Sequence, residues 1–320
     1  MTGPTAPVRV LYIGGWGRSG STLLDRMLAS TFGFFAAGEL REIWWRGCIE
    51  NRSCGCGEPF GECPFWAKVG DEAFGGWATQ DAGARAELRL GLDRPWHVPL
   101  LLAPGVLGGY RRRHDEYTAV LGDLYRAIAD VSAAPVVVDS SKIPTYGMLL
   151  RRTPGIDLRI LHLVRDPRGV VHSWRKEMSR QDTNATEPDQ SRSDAMYRYG
   201  LTSATLRYDM YNMLTQTVAR WRTPYLRIRY EDLVAQPVST VERIGDFAWG
   251  TAMTDPGALA AGAVEFTTDH TVDGNPIRFQ HGTVPLRLDD AWMTGLDRGT
   301  RRKVTALTAP LIAAYHYPFT

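Results

Sequence analysis

Residues 14 to 22 read Gly14-Gly15-Trp16-Gly17-Arg18-Ser19-Gly20-Ser21-Thr22. Small residues at a turn let several backbone N–H groups converge on one anion, and a helix beginning there adds favourable potential. Ser21 and Thr22 bring hydroxyl donors to the same anion, and Arg18 brings a positive charge. A second constellation opens at Arg165-Asp166-Pro167-Arg168 and reaches Ser173 eight residues after Arg165. With Arg165 at a strand exit and Ser173 about two helical turns onward, the pair can clasp one phosphate from two sides. The bland reading of the same residues is a helix start with an Asp166–Arg ion pair, worth little at a surface. A third polar run, Asp139-Ser140-Ser141-Lys142, follows a short apolar stretch and is expected at a sheet's carboxyl edge, where open α/β folds bind ligands.

The first turn departs from two better-known phosphate turns. Gly15 and Gly20 have the glycine spacing of a nucleoside-triphosphatase loop, but Ser21 stands where its Lys belongs. Gly15, Gly17 and Gly20 fit the dinucleotide fingerprint, yet no acidic residue ends a second strand near residues 35 to 40.

The elements that must carry these residues alternate. Arg9–Ile13 reads as a strand and Ser21–Ser30 as a helix whose Leu23, Leu24, Met27 and Leu28 share a face. An amphipathic helix is expected over Tyr117–Ala129, a buried strand over Val136–Val138 and a short helix over Tyr146–Arg152. Leu158–Val164 is apolar almost throughout, as in a parallel sheet interior, and Tyr225–Tyr230 is another strand. Long helices are expected from about Ala195 to Arg220 and from Arg301 to Tyr315. The pattern favours one three-layer α/β domain over residues 1–320, a central, mostly parallel sheet between helices. Residues 44–110 are expected to form a Cys- and Trp-rich insertion, and 181–192, poor in apolar residues, a mobile surface segment.

The chain's 320 residues suffice for one large core. Thirty-seven Lys and Arg against thirty-five Asp and Glu give a formal charge of +2, which disfavours a polyanion binder working by net charge. Arg111-Arg112-Arg113 and Arg301-Arg302-Lys303 read as solvated faces rather than nucleic-acid grooves. No run of 18 apolar residues occurs and the first residues lack a signal-peptide pattern, so a cytoplasmic protein without membrane insertion is expected. The sequence implies no particular oligomeric state.

Gly17-Arg18-Ser19-Gly20-Ser21-Thr22-Leu23-Leu24 resembles the 5′-phosphosulfate-binding loop of sulfotransferases that use 3′-phosphoadenosine 5′-phosphosulfate (PAPS). The Arg form resembles the carbohydrate, tyrosylprotein and related bacterial branches. Arg165 and Ser173 match the family's 3′-phosphate pair, and Tyr230-Glu231-Asp232-Leu233 resembles a structural segment that follows a core strand. The resemblance implies a P-loop-like fold, PAPS as sulfuryl donor with PAP as product, and transfer to a hydroxyl of a small-molecule, sugar or natural-product acceptor, with or without a glycoside. It also implies a contact of Arg278 with the 3′-phosphate and a catalytic base at Glu39, with Glu42 as its neighbour and competitor. Lys142 is implied at the sulfuryl group or the acceptor, in competition with ordinary loop anchoring. His114 and His172 remain alternative bases, whereas His162, inside an apolar strand, reads as a core histidine. The transfer chemistry needs no metal, because Arg18 and the N–H groups through Thr22 already supply positive potential.

Two other functional classes stay open: a small-molecule kinase, disfavoured by Ser21 in place of Lys, and a nucleotide-binding protein without turnover. Trp44, Trp45, Trp66, Trp77, Trp96 and Trp292 are candidates for stacking on an acceptor or for the core. Cys48, Cys54, Cys56 and Cys63 fall within sixteen residues. The single residue between Cys54 and Cys56 is shorter than usual zinc spacing, so reduced structural cysteines are favoured over zinc, with disulfides as a third reading.

Overall fold

The computed structural model describes residues 6–176, 198–250 and 257–319; the segment 181–192 lies outside them. Five strands form an all-parallel sheet: β1 (Val8–Gly15), β2 (Phe35–Ala36), β3 (Val137–Lys142), β4 (Ile156–Val164) and β5 (Tyr225–Arg229). Their order is β2-β3-β1-β4-β5, so the chain builds to one side of β1 and then to the other. A separate antiparallel pair joins β6 (Ala263–Phe266) to β7 (Gly282–Pro285).

Successive residues of β1 alternate between two cores, as the period of a strand requires. Val10 and Tyr12 pack with Trp44, Trp66, Tyr117, Leu121 and Tyr125. Leu11 and Ile13 pack with Leu24, Met27 and Leu28 of the helix Ser21–Phe32 (α1) and with Val241 and Ile244. These two covering layers and the sheet make the expected three-layer α/β arrangement. The Cys- and Trp-rich stretch belongs to the first of them: Trp44, Phe60, Trp66 and Val69 are buried in the same cluster as Val10. It also contains regular helices, Pro64–Phe74 and Ala82–Leu90.

Several elements differ from their sequence expectation for local reasons. The helix expected at Tyr117–Ala129 runs from Gly108 to Ser132, with Arg111, Arg112 and Arg113 on its exposed side. The final helix is two, Arg298–Leu307 and Ala309–Ala314, because Pro310 has no N–H with which to continue the ladder. Of the stretch expected from Ala195, residues 195–197 lie outside the described residues, and the rest is helical over Leu201–Leu214 and continues as a wider coil over Thr215–Ala219. Asp139-Ser140-Ser141-Lys142 does not follow β3 but forms its last four residues, all buried. Tyr12 of β1 pairs with Asp139 and Gly14 with Lys142, so β3 carries one extra residue between those pairs, and Lys142 adopts φ 69°.

Two of the buried titratable groups in the sheet, His162 and Asp139, act on stability in opposite directions as pH falls. His162 is fully buried, Nδ1 2.6 Å from the Tyr225 hydroxyl and Nε2 2.9 Å from Asn212 Oδ1. Burial pushes its pKa down to about 4, so acidification favours the unfolded chain from about pH 6.5 downward. Asp139 accepts from the Ser141 N–H and hydroxyl and from the Tyr125 hydroxyl. Burial nevertheless pushes its pKa up to about 6, so the folded chain takes up this proton first and acidification from pH 6 to 4 favours folding. Each effect is worth roughly 3 kcal/mol, and the two oppose one another. Asp139→Asn removes the compensation. Its stability in urea should fall more steeply from pH 6 to 4 than that of the wild type; parallel slopes would contradict this assignment.

Candidate active site

The carboxyl ends of all five parallel strands deliver residues to one cleft of about 640 Å³. β1 leads into the turn Trp16–Leu23, β2 precedes Glu39, and β3 ends on Lys142. β4 is followed by Arg165 and β5 by Tyr230, so the cleft lies where the connections on either side of β1 diverge.

The turn is set between aromatic rings. A Cβ on Gly17 would stand 2.6 Å from the Trp174 ring, and one on Gly20 2.6 Å from the Tyr230 ring. Gly20 also adopts φ 90° as it enters α1, and no side chain caps that helix. Its first-turn N–H groups therefore have no intrahelical partner, and Gly20, Ser21, Thr22 and Leu23 line the cleft. The Arg18 guanidinium lies 4.9 Å over the Trp174 ring. Ser19 differs from its neighbours: it is buried, and its hydroxyl donates to the Trp16 carbonyl at 2.8 Å, closing the turn instead of facing the cleft. Thr22 Oγ1 accepts from the Asn275 N–H at 3.2 Å, which brings the 273–275 loop onto the turn.

Arg165 and Ser173 line the same cleft as Gly17, Arg18, Ser21 and Thr22. Arg165 Nη1 donates to the Arg18 carbonyl at 3.1 Å, so the glycine turn and the exit of β4 are in direct contact. The guanidinium also lies 4.7 Å over the Tyr230 ring, donates to the Asp289 carbonyl at 2.7 Å and pairs with Asp289 Oδ2 at 3.0 Å. Burial alone would raise the Asp289 carboxyl; the hydrogen bond and charge of Arg165 outweigh it and hold the group below the usual carboxylate range.

Across the cleft, Glu39 Oε1 accepts from Lys142 Nζ at 2.6 Å, and Nζ donates also to the Ser140 carbonyl at 2.8 Å. Glu42 lines the cleft too, but it pairs with Arg41 and, at 3.6 Å, with Arg89. Burial would raise the Glu42 carboxyl, and these two guanidiniums more than reverse that, keeping it ionised and committed to ion pairs. Neither His114 nor His172 is among the cleft residues.

Arg278 is the expected contact that the structure does not bring to the cleft. Its side chain is buried, with Nη1 donating to the Thr271 carbonyl at 2.9 Å and Nη2 to the Ser53 carbonyl at 2.7 Å. Backbone carbonyls turn it toward the 44–110 layer, while Gly274, Asn275 and Ile277 beside it reach the cleft. Trp174, next to Ser173, packs against the buried cluster of Trp16 and Val170 and also lines the cleft, donating from Nε1 to the Gly17 carbonyl at 3.2 Å.

Tyr230 and Asp289 were not legible as cleft residues. Tyr230 sits in a motif read as structural, and Asp289 carries no local signature. Of the tryptophans, Trp44, Trp66 and Trp292 are buried, whereas Trp96 is 66% exposed and borders a second cavity of about 840 Å³. That cavity shares Arg41 and Ile143 with the cleft and is walled by Leu90, Pro95, Leu206 and Met210. The cysteines divide: Cys54, Cys56 and Cys63 converge on His270, while Cys48 lies apart, its thiol pushed up to about 12 by burial.

Comparison with known proteins bears on this geometry. Residues 103–255 match the Sulfotransferase family. The sulfotransferase domain of the Synechococcus PCC 7002 olefin synthase superposes over 99% of this chain and 98% of its own, at 22% identity and a TM-score of 0.53. The chain has the sulfotransferase fold. The sulfotransferase domain from the curacin biosynthetic pathway aligns over 98% of both chains, with 19% identity and a TM-score of 0.49. Carbohydrate sulfotransferase 1 of Danio rerio is 28% identical over 158 residues, which is 48% of this chain but only 36% of that protein. Within the sulfotransferase fold, the matched stretch 103–255 carries Lys142, Arg165, Ser173 and Tyr230, whereas the Gly17–Thr22 turn and Glu39 precede it. Among the described residues, no helix is long and apolar enough to cross a membrane.

Proposed function

We propose that the protein transfers a sulfuryl group from PAPS to a hydroxyl of a small-molecule acceptor. The observation that carries this reading is the contact of Arg165 with the Arg18 carbonyl, which joins two anion-holding regions in one cleft. A nucleotide with phosphate groups at both ends of its ribose fits that arrangement, and the glycines that two rings leave without room for a Cβ fit a turn shaped around an anion.

PAPS supplies an activated sulfuryl group; the chain supplies orientation, charge and a proton acceptor. Arg165 and Ser173 hold the 3′-phosphate. Gly17, Arg18, Gly20, Ser21 and Thr22 hold the 5′ end and stabilise the negative charge that grows there, and Ser19 serves by fixing the turn. Glu39 takes the acceptor's hydroxyl proton on a carboxylate oxygen. Lys142, 2.6 Å from that carboxylate, orients it and adds positive charge beside the reacting oxygens. The adjoining cavity, with Trp96, Leu206 and Met210 in its walls, suits an acceptor whose hydroxyl stands on a partly apolar body, a natural product or its glycoside.

The test is mass spectrometry of an acceptor library incubated with PAPS and the protein. A product heavier by one sulfuryl group, formed only when both are present, is the expected result. Tight PAP binding without any product across a broad library would favour a nucleotide-binding protein without transfer activity.

A further inference from the structure

Three cysteines and a histidine that sulfuryl transfer does not use meet beside the cleft. We propose that Cys54, Cys56, Cys63 and His270 bind one structural Zn²⁺. Four ligands at the usual distances, about 2.3 Å for sulfur and about 2.0–2.1 Å for nitrogen, stand about 3.8 Å apart for sulfur pairs and about 3.6 Å for sulfur–nitrogen pairs in a tetrahedron. Here Cys54 Sγ lies 3.6 Å and Cys56 Sγ 3.7 Å from Cys63 Sγ. His270 Nδ1 lies 3.3 Å from Cys63 Sγ and 3.7 Å from Cys54 Sγ. All the ligand atoms fall within 4.8 Å of one another. The sulfurs are far beyond the roughly 2.05 Å of a disulfide, and all four cysteines are free.

The short Cys54–Cys56 spacing, which weighed against zinc in the sequence, is met by the local turn. Gly57 adopts φ 96° and donates to the Cys54 carbonyl at 2.9 Å, while the Cys54 N–H donates to the Glu58 carbonyl at 2.7 Å. This fold presents both thiols to one point. The side chain missing at Gly55 lets the turn lie against Asp269 and Thr271, with its N–H on the Thr271 carbonyl at 3.0 Å. His270 is fixed in turn: Phe65 stacks on its ring at 4.9 Å and 11°, and Trp66 Nε1 donates to its carbonyl at 2.9 Å. Four protein ligands, two of them buried, leave no open position, which marks a structural site and not a catalytic one.

The site joins parts of the chain more than two hundred residues apart. Immediately after His270, Asp273 pairs with Arg46 at 2.9 Å and the Asn275 N–H donates to Thr22 Oγ1 at 3.2 Å. The metal thus ties the 44–110 layer to the loop that lies on the glycine turn.

The 320-residue chain, grown with zinc and desalted without chelator, should contain one zinc per chain by elemental analysis. The Cys48→Ser variant should keep it. Cobalt-substituted protein should show the intense visible bands and sulfur-to-metal charge transfer of a tetrahedral thiolate site. His270→Ala should alter that spectrum and weaken zinc by roughly 100-fold or more. A thiol reagent should find three more reactive cysteines after chelation than before. Wild-type protein without zinc, a mass two hydrogen atoms lower from an oxidised disulfide, or an unchanged cobalt spectrum and affinity in His270→Ala would each overturn the proposal. Should His270→Ala fail to fold, zinc content, cobalt spectrum and thiol count of the wild type decide the matter alone.

Discussion

Glu39→Gln lowers kcat by roughly 10²- to 10⁴-fold while leaving PAP affinity within about threefold of the wild type. The size follows from what a positioned general base contributes. The selectivity follows from geometry. Glu39 touches Lys142 at 2.6 Å, whereas the groups proposed to hold the nucleotide lie on the turn after β1 and at the exit of β4. The amide keeps the shape and an oxygen for Lys142, which also retains its bond to the Ser140 carbonyl, so the pocket need not rearrange. What is lost is an oxygen able to take a proton. Single-turnover kinetics with saturating PAPS, beside calorimetry with PAP, separates the two quantities. Retained turnover in Glu39→Gln with loss in Glu42→Gln or His172→Ala would move the base to one of those residues.

The framework around Glu39 was largely legible because apolar period and glycine punctuation act locally. Leu158–Val164 announced a buried parallel strand, and the run from Gly14 to Thr22 announced a turn into a helix. Each is visible within a dozen residues. The features that the sequence withheld are those made by distant segments. Nothing near Arg278 reveals that the Ser53 and Thr271 carbonyls will draw its guanidinium away from the cleft. Nothing near Asp289 reveals that it will pair with Arg165. The cysteine cluster shows the same limit: the single residue between Cys54 and Cys56 argued against a metal, and nothing near them reveals that His270, 207 residues beyond Cys63, joins the cluster. Trp174 shows a subtler limit: helical periodicity assigns a face but not everything that face meets, and here it meets both a buried cluster and the glycine turn at the edge of the cleft.

Arg165→Ala weakens PAP binding about 100-fold, close to 2.7 kcal/mol, and has much less effect on AMP, which lacks the 3′-phosphate. Hydrogen bonds to a charged partner contribute roughly 1.5–3 kcal/mol each, and a guanidinium directs several donors at one phosphate. The contrast between ligands isolates that interaction as a double-mutant cycle would, because general damage to the cleft weakens both nucleotides. Asp289 complicates a single measurement, since it is already paired with Arg165 and must yield the guanidinium to a phosphate. Removing Arg165 therefore also leaves a carboxylate facing the ligand, so part of the loss is repulsion. Asp289→Asn separates the contributions: alone it should tighten PAP severalfold, and combined with Arg165→Ala it should recover the repulsive share. AMP losing as much affinity as PAP in Arg165→Ala would show that this arginine does not read the 3′-phosphate, and the reading of one nucleotide held at both ends would fall with it.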